Sequence, residues 1–101
     1  VQRATGIEES MAPVEDFRLD QNYPNPFNPT TTIEYNLPVQ SQVELSVYDL
    51  SGRRVNSLVN QTQAAGAYQY IWDASDMPSG VYFYQLETNE FNMKKKCMLI
   101  K

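Results

Sequence analysis

The chain has no histidine, and that one gap removes much of ordinary enzyme chemistry. Ser-His-Asp and Cys-His nucleophiles both need an imidazole to take the proton. The commonest zinc ligand is missing for the same reason. Cysteine is nearly absent too. Cys97 stands alone, so no internal disulfide can form, and without a base the thiol reads as a small buried hydrophobe in a strand. Positive charge is scarce: 8 Lys and Arg face 12 Asp and Glu, giving a net charge of −4 and a pI near 4.6. General nucleic-acid binding wants a basic face and is not expected. No apolar run approaches the ~18 residues that a membrane-spanning helix requires. With 101 residues there is room for one domain at most. A chain of this size buries roughly 60–70% of its unfolded surface, enough for one modest core. The sequence opens on Val1 with no signal-peptide pattern, so it is expected to be a piece of a longer precursor. Any targeting peptide would lie upstream.

What is present is aromatic and alternating. Seven Tyr, four Phe and one Trp suit half-buried pleated strands. Val1 to Asp16 has no apolar period and reads as a linker or tail, with a weak amphipathic helix over GIEESM. From Phe17 onward, strand signals recur. FRL (17–19) makes a short first strand. TTIEYNL (31–37) alternates Ile33, Tyr35 and Leu37 against Thr32, Glu34 and Asn36. QVELSVYDL (42–50) alternates Val43, Leu45 and Val47 against Glu44, Ser46 and Tyr48. This is the period of a sheet with one wet face, and the short link PVQSQ makes the two candidate neighbours.

DLSGRR (49–54) is a turn in which Asp49 accepts backbone N–H groups and Gly52 supplies a positive φ. RVNSLV (54–59) follows as a strand and NQTQAAG (60–66) as a loop. AYQYIWD (67–73) places Tyr68, Tyr70 and Trp72 on one face, and ASDMPSG (74–80) is another turn. VYFYQLE (81–87) and NMKKKCMLIK (92–101) form a terminal hairpin around TNEF (88–91). About seven strands with turn signals every eight to twelve residues, and no convincing helix, predict an all-β immunoglobulin-like sandwich of antiparallel strands.

The run NYPNPFNP sets three prolines within six positions, Pro24, Pro26 and Pro29. Proline has no N–H and fixes φ, and it pushes the residue before it toward extended conformations. The run is therefore neither helix nor central strand. It is expected to be a stiff, extended bridge crossing from one sheet to the other, with Phe27 plugging one end of the core.

Few constellations suggest chemistry. Asp73 and Asp76 flank a turn, where capping is a simpler role than calcium binding, which needs six to eight oxygens. Asn60-Gln61-Thr62 fits a glycosylation acceptor. Trp72, Tyr70 and Tyr68 would serve as a sugar platform if exposed and as core filling if not. The C-terminus is more informative. Lys94, Lys95, Lys96 and Lys101 crowd the end of an otherwise acidic chain. Such a strand either guards a sheet edge against aggregation or offers a basic patch to a receptor.

The order of these blocks is itself a signal. NYPNPFNPTTTIEYNLP, VELSVYDLSGRRV, GAYQYIWD, MPSGVYFYQL and a lysine-rich last strand follow one another over Phe17 to Lys101. In this the chain resembles the C-terminal sorting domain (type A) of the type IX secretion system of Bacteroidetes and related bacteria. The resemblance implies an immunoglobulin-like sandwich of about seven strands. It also implies a place at the end of a secreted enzyme or adhesin, with no catalysis and no cofactor in the domain itself. The precursor would pass the inner membrane by a signal peptide and then be recognised in the periplasm and at the outer-membrane translocon. For many such cargoes a surface sortase cuts the domain away and joins the cargo to anionic lipopolysaccharide. The cut would then fall within Val1 to Asp16.

Mapped onto this chain, Pro24, Asn25, Pro26 and Phe27 match the family's first motif. Asp49, Gly52 and Arg53 match the second, and Gly80, Val81 and Tyr82 the third. Lys94 to Lys96 and the last residues, Lys101 included, match the terminal signal. Recognition by strand addition to an exposed edge is expected. The partners implied are the translocon, the sortase and the upstream cargo. Two rival readings remain: the related immunoglobulin-like domain of flagellar hook-capping proteins, as an assembly module, and a carbohydrate-binding accessory module.

Overall fold

Alternation of side chains decides the architecture. A computed structural model describes residues 16–101 and carries seven strands there: β1 (Arg18–Leu19), β2 (Thr30–Leu37), β3 (Ser41–Tyr48), β4 (Arg54–Gln63), β5 (Gly66–Asp73), β6 (Gly80–Glu87) and β7 (Asn92–Leu99). The expected linker, with its weak helix over GIEESM, falls almost wholly outside the described residues.

In β2 the buried positions are Thr31, Ile33, Tyr35 and Leu37, and in β3 Val43, Leu45 and Val47 lie inward. β6 contributes Tyr82, Tyr84 and Leu86, and β7 contributes Cys97 and Leu99. Each fully buried aliphatic or aromatic side chain is worth about 1.5–3 kcal/mol of transfer free energy. That burial is available only if two sheets turn these faces toward each other. The sheets are antiparallel, in the orders β1-β2-β5 and β4-β3-β6-β7. One hydrophobic cluster fills the space between them. This is the expected seven-stranded sandwich, and no helix occurs among the described residues.

Three local expectations are corrected. β2 and β3 are not paired neighbours: β2 pairs with β5, while β3 pairs with β4 and β6. Pro38 follows β2 with no N–H to give, and Pro38 to Gln40 turns the chain into the opposite sheet. The loop expected over 60–66 is mostly strand. β4 runs on to Gln63, its polar residues facing water along an edge, so only Ala64 and Ala65 separate it from β5. The proline run does not cross between sheets either. Tyr23 and Thr32 exchange backbone hydrogen bonds of 3.1 and 2.9 Å, so the chain returns to the sheet it left. The run is a closed loop because its two ends are tied together.

Candidate functional site

The root of the proline loop is a buried polar cluster. Asn22 and Thr31, on the two sides of the loop, are 2% and 1% exposed. Asn22 Nδ2 donates to Thr31 Oγ1 at 2.9 Å, and Thr31 Oγ1 donates to the Pro24 carbonyl at 2.9 Å. From β6, the Tyr84 hydroxyl donates to the Asp20 carbonyl at 2.6 Å and accepts from the Asn22 N–H at 2.7 Å. Burial raises the Tyr84 hydroxyl far above the ordinary phenol value, so it stays a neutral donor. Buried polar groups are costly unless paired, and here each bond closes the loop's base.

The tip of the loop reaches the other sheet through Phe27. Its ring is buried against Trp72, with centroids 5.2 Å apart, so it plugs the core as expected. Trp72 in turn meets Tyr82 edge-on at 6.3 Å. The Phe27 backbone clasps β7: its N–H donates to the Met98 carbonyl and its carbonyl accepts from the Ile100 N–H, both at 3.0 Å. Asn25 Oδ1 accepts from the Met98 N–H at 3.1 Å, and Gln21 Nε2 donates to the Lys96 carbonyl at 2.8 Å. The loop thus covers the outer edge of β7 from the Lys96 carbonyl to Ile100.

Pairing register places the other motifs. Tyr48 sits opposite both Arg54 and Phe83, and Gly80 sits opposite Leu99. The β3–β4 turn, the start of β6, the end of β7 and the proline loop therefore share one pole of the sandwich. In that turn Asp49 Oδ1 accepts from the N–H groups of Ser51 and Arg53 at 2.9 and 3.1 Å, and from the Ser51 hydroxyl at 2.6 Å. These donors hold the Asp49 carboxyl below its ordinary value, the Ser51 hydroxyl first among them. Gly52 and Gly80 take φ of +90° and +157°, with open space where a Cβ would stand, so backbone conformation and not crowding calls for glycine. The Lys101 N–H donates to Ser79 Oγ at 2.9 Å at the same pole.

Lys94 to Lys96 lie apart from this gathering, along β7 opposite Gln85, Tyr84 and Phe83. Pro24, Asn25, Pro26, Gly52, Arg53, Lys94, Lys96 and Lys101 are exposed, and Val81 and Lys95 are half-buried. Phe27 and Tyr82 are buried, so they hold the surface up and do not form it. The chain enters the described fold at the far pole, where Arg18 pairs opposite Asn36 and Phe17 stacks on Phe91 at 5.2 Å.

The cations divide sharply. Among the described residues every arginine has an acidic partner: Arg18 with Asp20, Arg53 with Asp49 and Arg54 with Glu44. None of the four lysines is in an ion pair there; Lys94 instead lies over the Tyr48 ring, 5.2 Å from its centroid. The unneutralised positive charge is therefore gathered on β7 and the residues after it.

Other side chains settle into structural roles. Trp72 is 2% exposed, so the sugar-platform reading loses its main aromatic. Asp73 Oδ1 caps the following turn by accepting from the Ser75 N–H at 2.9 Å. Burial pushes the Cys97 thiol up to about 12, as suits a core residue. Sequence reasoning missed Asn22, Thr31 and Tyr84 as supports of the loop. Asn22 and Thr31 do bracket the proline run, which is a visible cue, but the Tyr84 contact spans 64 positions and leaves no local trace.

With this geometry in hand, comparison with known proteins is direct. The family described as "Secretion system C-terminal sorting domain" matches residues 21–101. A crystal structure of FlgD from P. aeruginosa is similar at 32% identity with a TM-score of 0.50. The likeness covers 68% of this chain and 57% of that one, and it agrees with the immunoglobulin-like relation expected from sequence. A comparison with curated proteins returns no match.

Proposed function

This chain belongs to the family of secretion system C-terminal sorting domains, and we propose that it acts as a folded, non-catalytic address for a larger cargo exported by the type IX system. The observation that carries this reading is the match over residues 21–101, which includes every motif gathered at the proline-loop pole. The geometry supports it physically. A label on an already folded cargo must be legible from outside. Here the loop, the Asp49–Arg53 turn and Lys101 stand at the pole opposite the one where the chain enters. A cargo joined there leaves them unshadowed.

In this reading Pro24, Asn25, Pro26, Gly52 and Arg53 form the contact surface. Phe27, Gly80, Val81 and Tyr82 keep its shape, and Lys94 to Lys96 with Lys101 supply charge. A sortase cut within Val1 to Asp16 then releases the cargo for attachment at the cell surface. The test is a fluorescent reporter fused to the full chain in a type IX-competent host. Export with the domain and periplasmic retention without residues 17–101 are expected, and equal export of both would defeat the reading. The mass of surface-released reporter locates the cut. A product still carrying the sandwich would remove the sortase step alone.

A further inference from the structure

The outer edge of β7 is only half covered. In the β6–β7 ladder, backbone groups alternate between pointing at the partner strand and pointing away. The groups held by the loop belong to Lys96, Met98 and Ile100, so the even-numbered residues of β7 face outward. By the same alternation the N–H and C=O of Asn92 and Lys94 and the N–H of Lys96 also face outward. None of these has a backbone partner beyond β6 among the described residues. Along this short open register stand Lys94, Lys95 and Lys96, which make no ion pair among the described residues.

We infer that this register is a docking site for one extended, acidic segment of a partner protein, which adds to the sheet as a further strand beside Asn92–Lys96. The inference rests on the sorting reading and names the chemistry of the partner. Main-chain bonds to the open groups supply affinity, since an unpaired strand edge is a ready template. Lys94 and Lys96 point to the outer face, and carboxylates at alternate positions of the incoming strand would stand beside them. The charge complementarity is specific to this edge. The opposite edge of the same sheet, β4, carries Arg54, which Glu44 already neutralises. The loop sets the register, because Gln21 on the Lys96 carbonyl and Phe27 on Met98 stop the added strand from sliding toward the C-terminal end.

The test separates hydrogen bonding from charge. Lys94→Gln and Lys94→Pro lose the same charge, but only proline also removes the outward N–H, a change edge strands tolerate. Fused to the reporter as full chains, Lys94→Gln/Lys96→Gln is expected to lower export about tenfold. Lys94→Pro is expected to fall clearly below Lys94→Gln, with the retained reporter still folded. Equal export of Lys94→Pro and Lys94→Gln would overturn strand addition. Wild-type export of the double glutamine variant, with aggregation as its sole defect, would reduce the lysines to edge guards and also overturn the inference. A photoreactive side chain at Asn92, in an otherwise wild-type chain, should cross-link to one partner, and the same group at Asn60 on β4 should not. Cross-linking at both or at neither counts against the site. Export of the reporter without the domain would instead defeat the sorting reading itself.

Discussion

The two edges of the four-stranded sheet are defended in different ways. β4 is bent. Its register with β3 shifts between Leu45 and Ser46 and again between Val47 and Tyr48, leaving Leu58 and Val55 as extra residues that pack against the core. Bulges of this kind twist an edge away from flat pairing. β7 keeps an unbroken register with β6 over all eight residues and is instead covered, by the proline loop, along its C-terminal half. A bent edge is poor for any partner. A covered edge leaves a stretch of defined length free, so the second device protects and selects at once.

The comparison breaks most readily at Phe27. Phe27→Ala removes the ring that packs on Trp72 beneath the loop and should cost about 3–5 kcal/mol. Leu58→Ala on the bent edge, where the side chain is only half-buried, should cost no more than about 1–2 kcal/mol. Urea unfolding of both variants measures the gap, and equal losses would mean the Phe27 plug adds nothing beyond an ordinary half-buried side chain.

A smaller effect is expected at the loop's root. Tyr84→Phe strands the Asn22 N–H and the Asp20 carbonyl and should cost about 1–3 kcal/mol. Tyr68→Phe loses a hydroxyl bonded to the Ala64 carbonyl in an exposed setting. It should change stability by less than about 0.5 kcal/mol.

Cys97 reports on the covered edge directly. With its thiol pushed up to about 12, it should resist thiol reagents in the native state and react only as β7 opens. Labelling should speed up in Phe27→Ala and not in Leu58→Ala. The linkage has a definite sign. The unfolded thiol loses its proton at lower pH than the folded one, so the folded state binds more protons. This contribution is complete below the ordinary thiol value and is lost as pH rises toward about 12. Melts across that range should fall more steeply in the native chain than in Cys97→Ala.

The smallest change belongs to Asp49→Asn. Its carboxyl is held low by the turn, so the stability it adds is present at neutral pH and fades as pH falls through its depressed folded value. A slight wild-type advantage near pH 7 that vanishes in acid is the expected result. An advantage that persists unchanged in acid would point to shape, not charge.

The fold was legible because its signals are local. Ile33, Tyr35, Leu37 and Val43, Leu45, Val47 announce their faces by period two, and Asp49 with Gly52 announces a turn. Phe27 as a plug was legible as well, being the one large apolar side chain among the prolines. Illegible were the partners across distance. Nothing near Asn25 reveals that its side chain meets Met98, 73 positions away. The proline run looked extended because φ restriction is a property of single residues, whereas closure depends on Asn22, Thr31 and Tyr84 acting together. The polar tail of β4 looked like loop because an edge strand with two wet sides has little apolar alternation to show.

The bond between Phe27 and β7 has a consequence for timing. It joins an early part of the fold to its last strand, so its closure waits on one of the longest-range pairings among the described residues. A chain interrupted before Asn92 has the prolines but nothing for them to grip. The structure thus couples two completions: the proline-loop pole takes its final form in the same event that completes the fold, and an unfinished molecule leaves it unsealed.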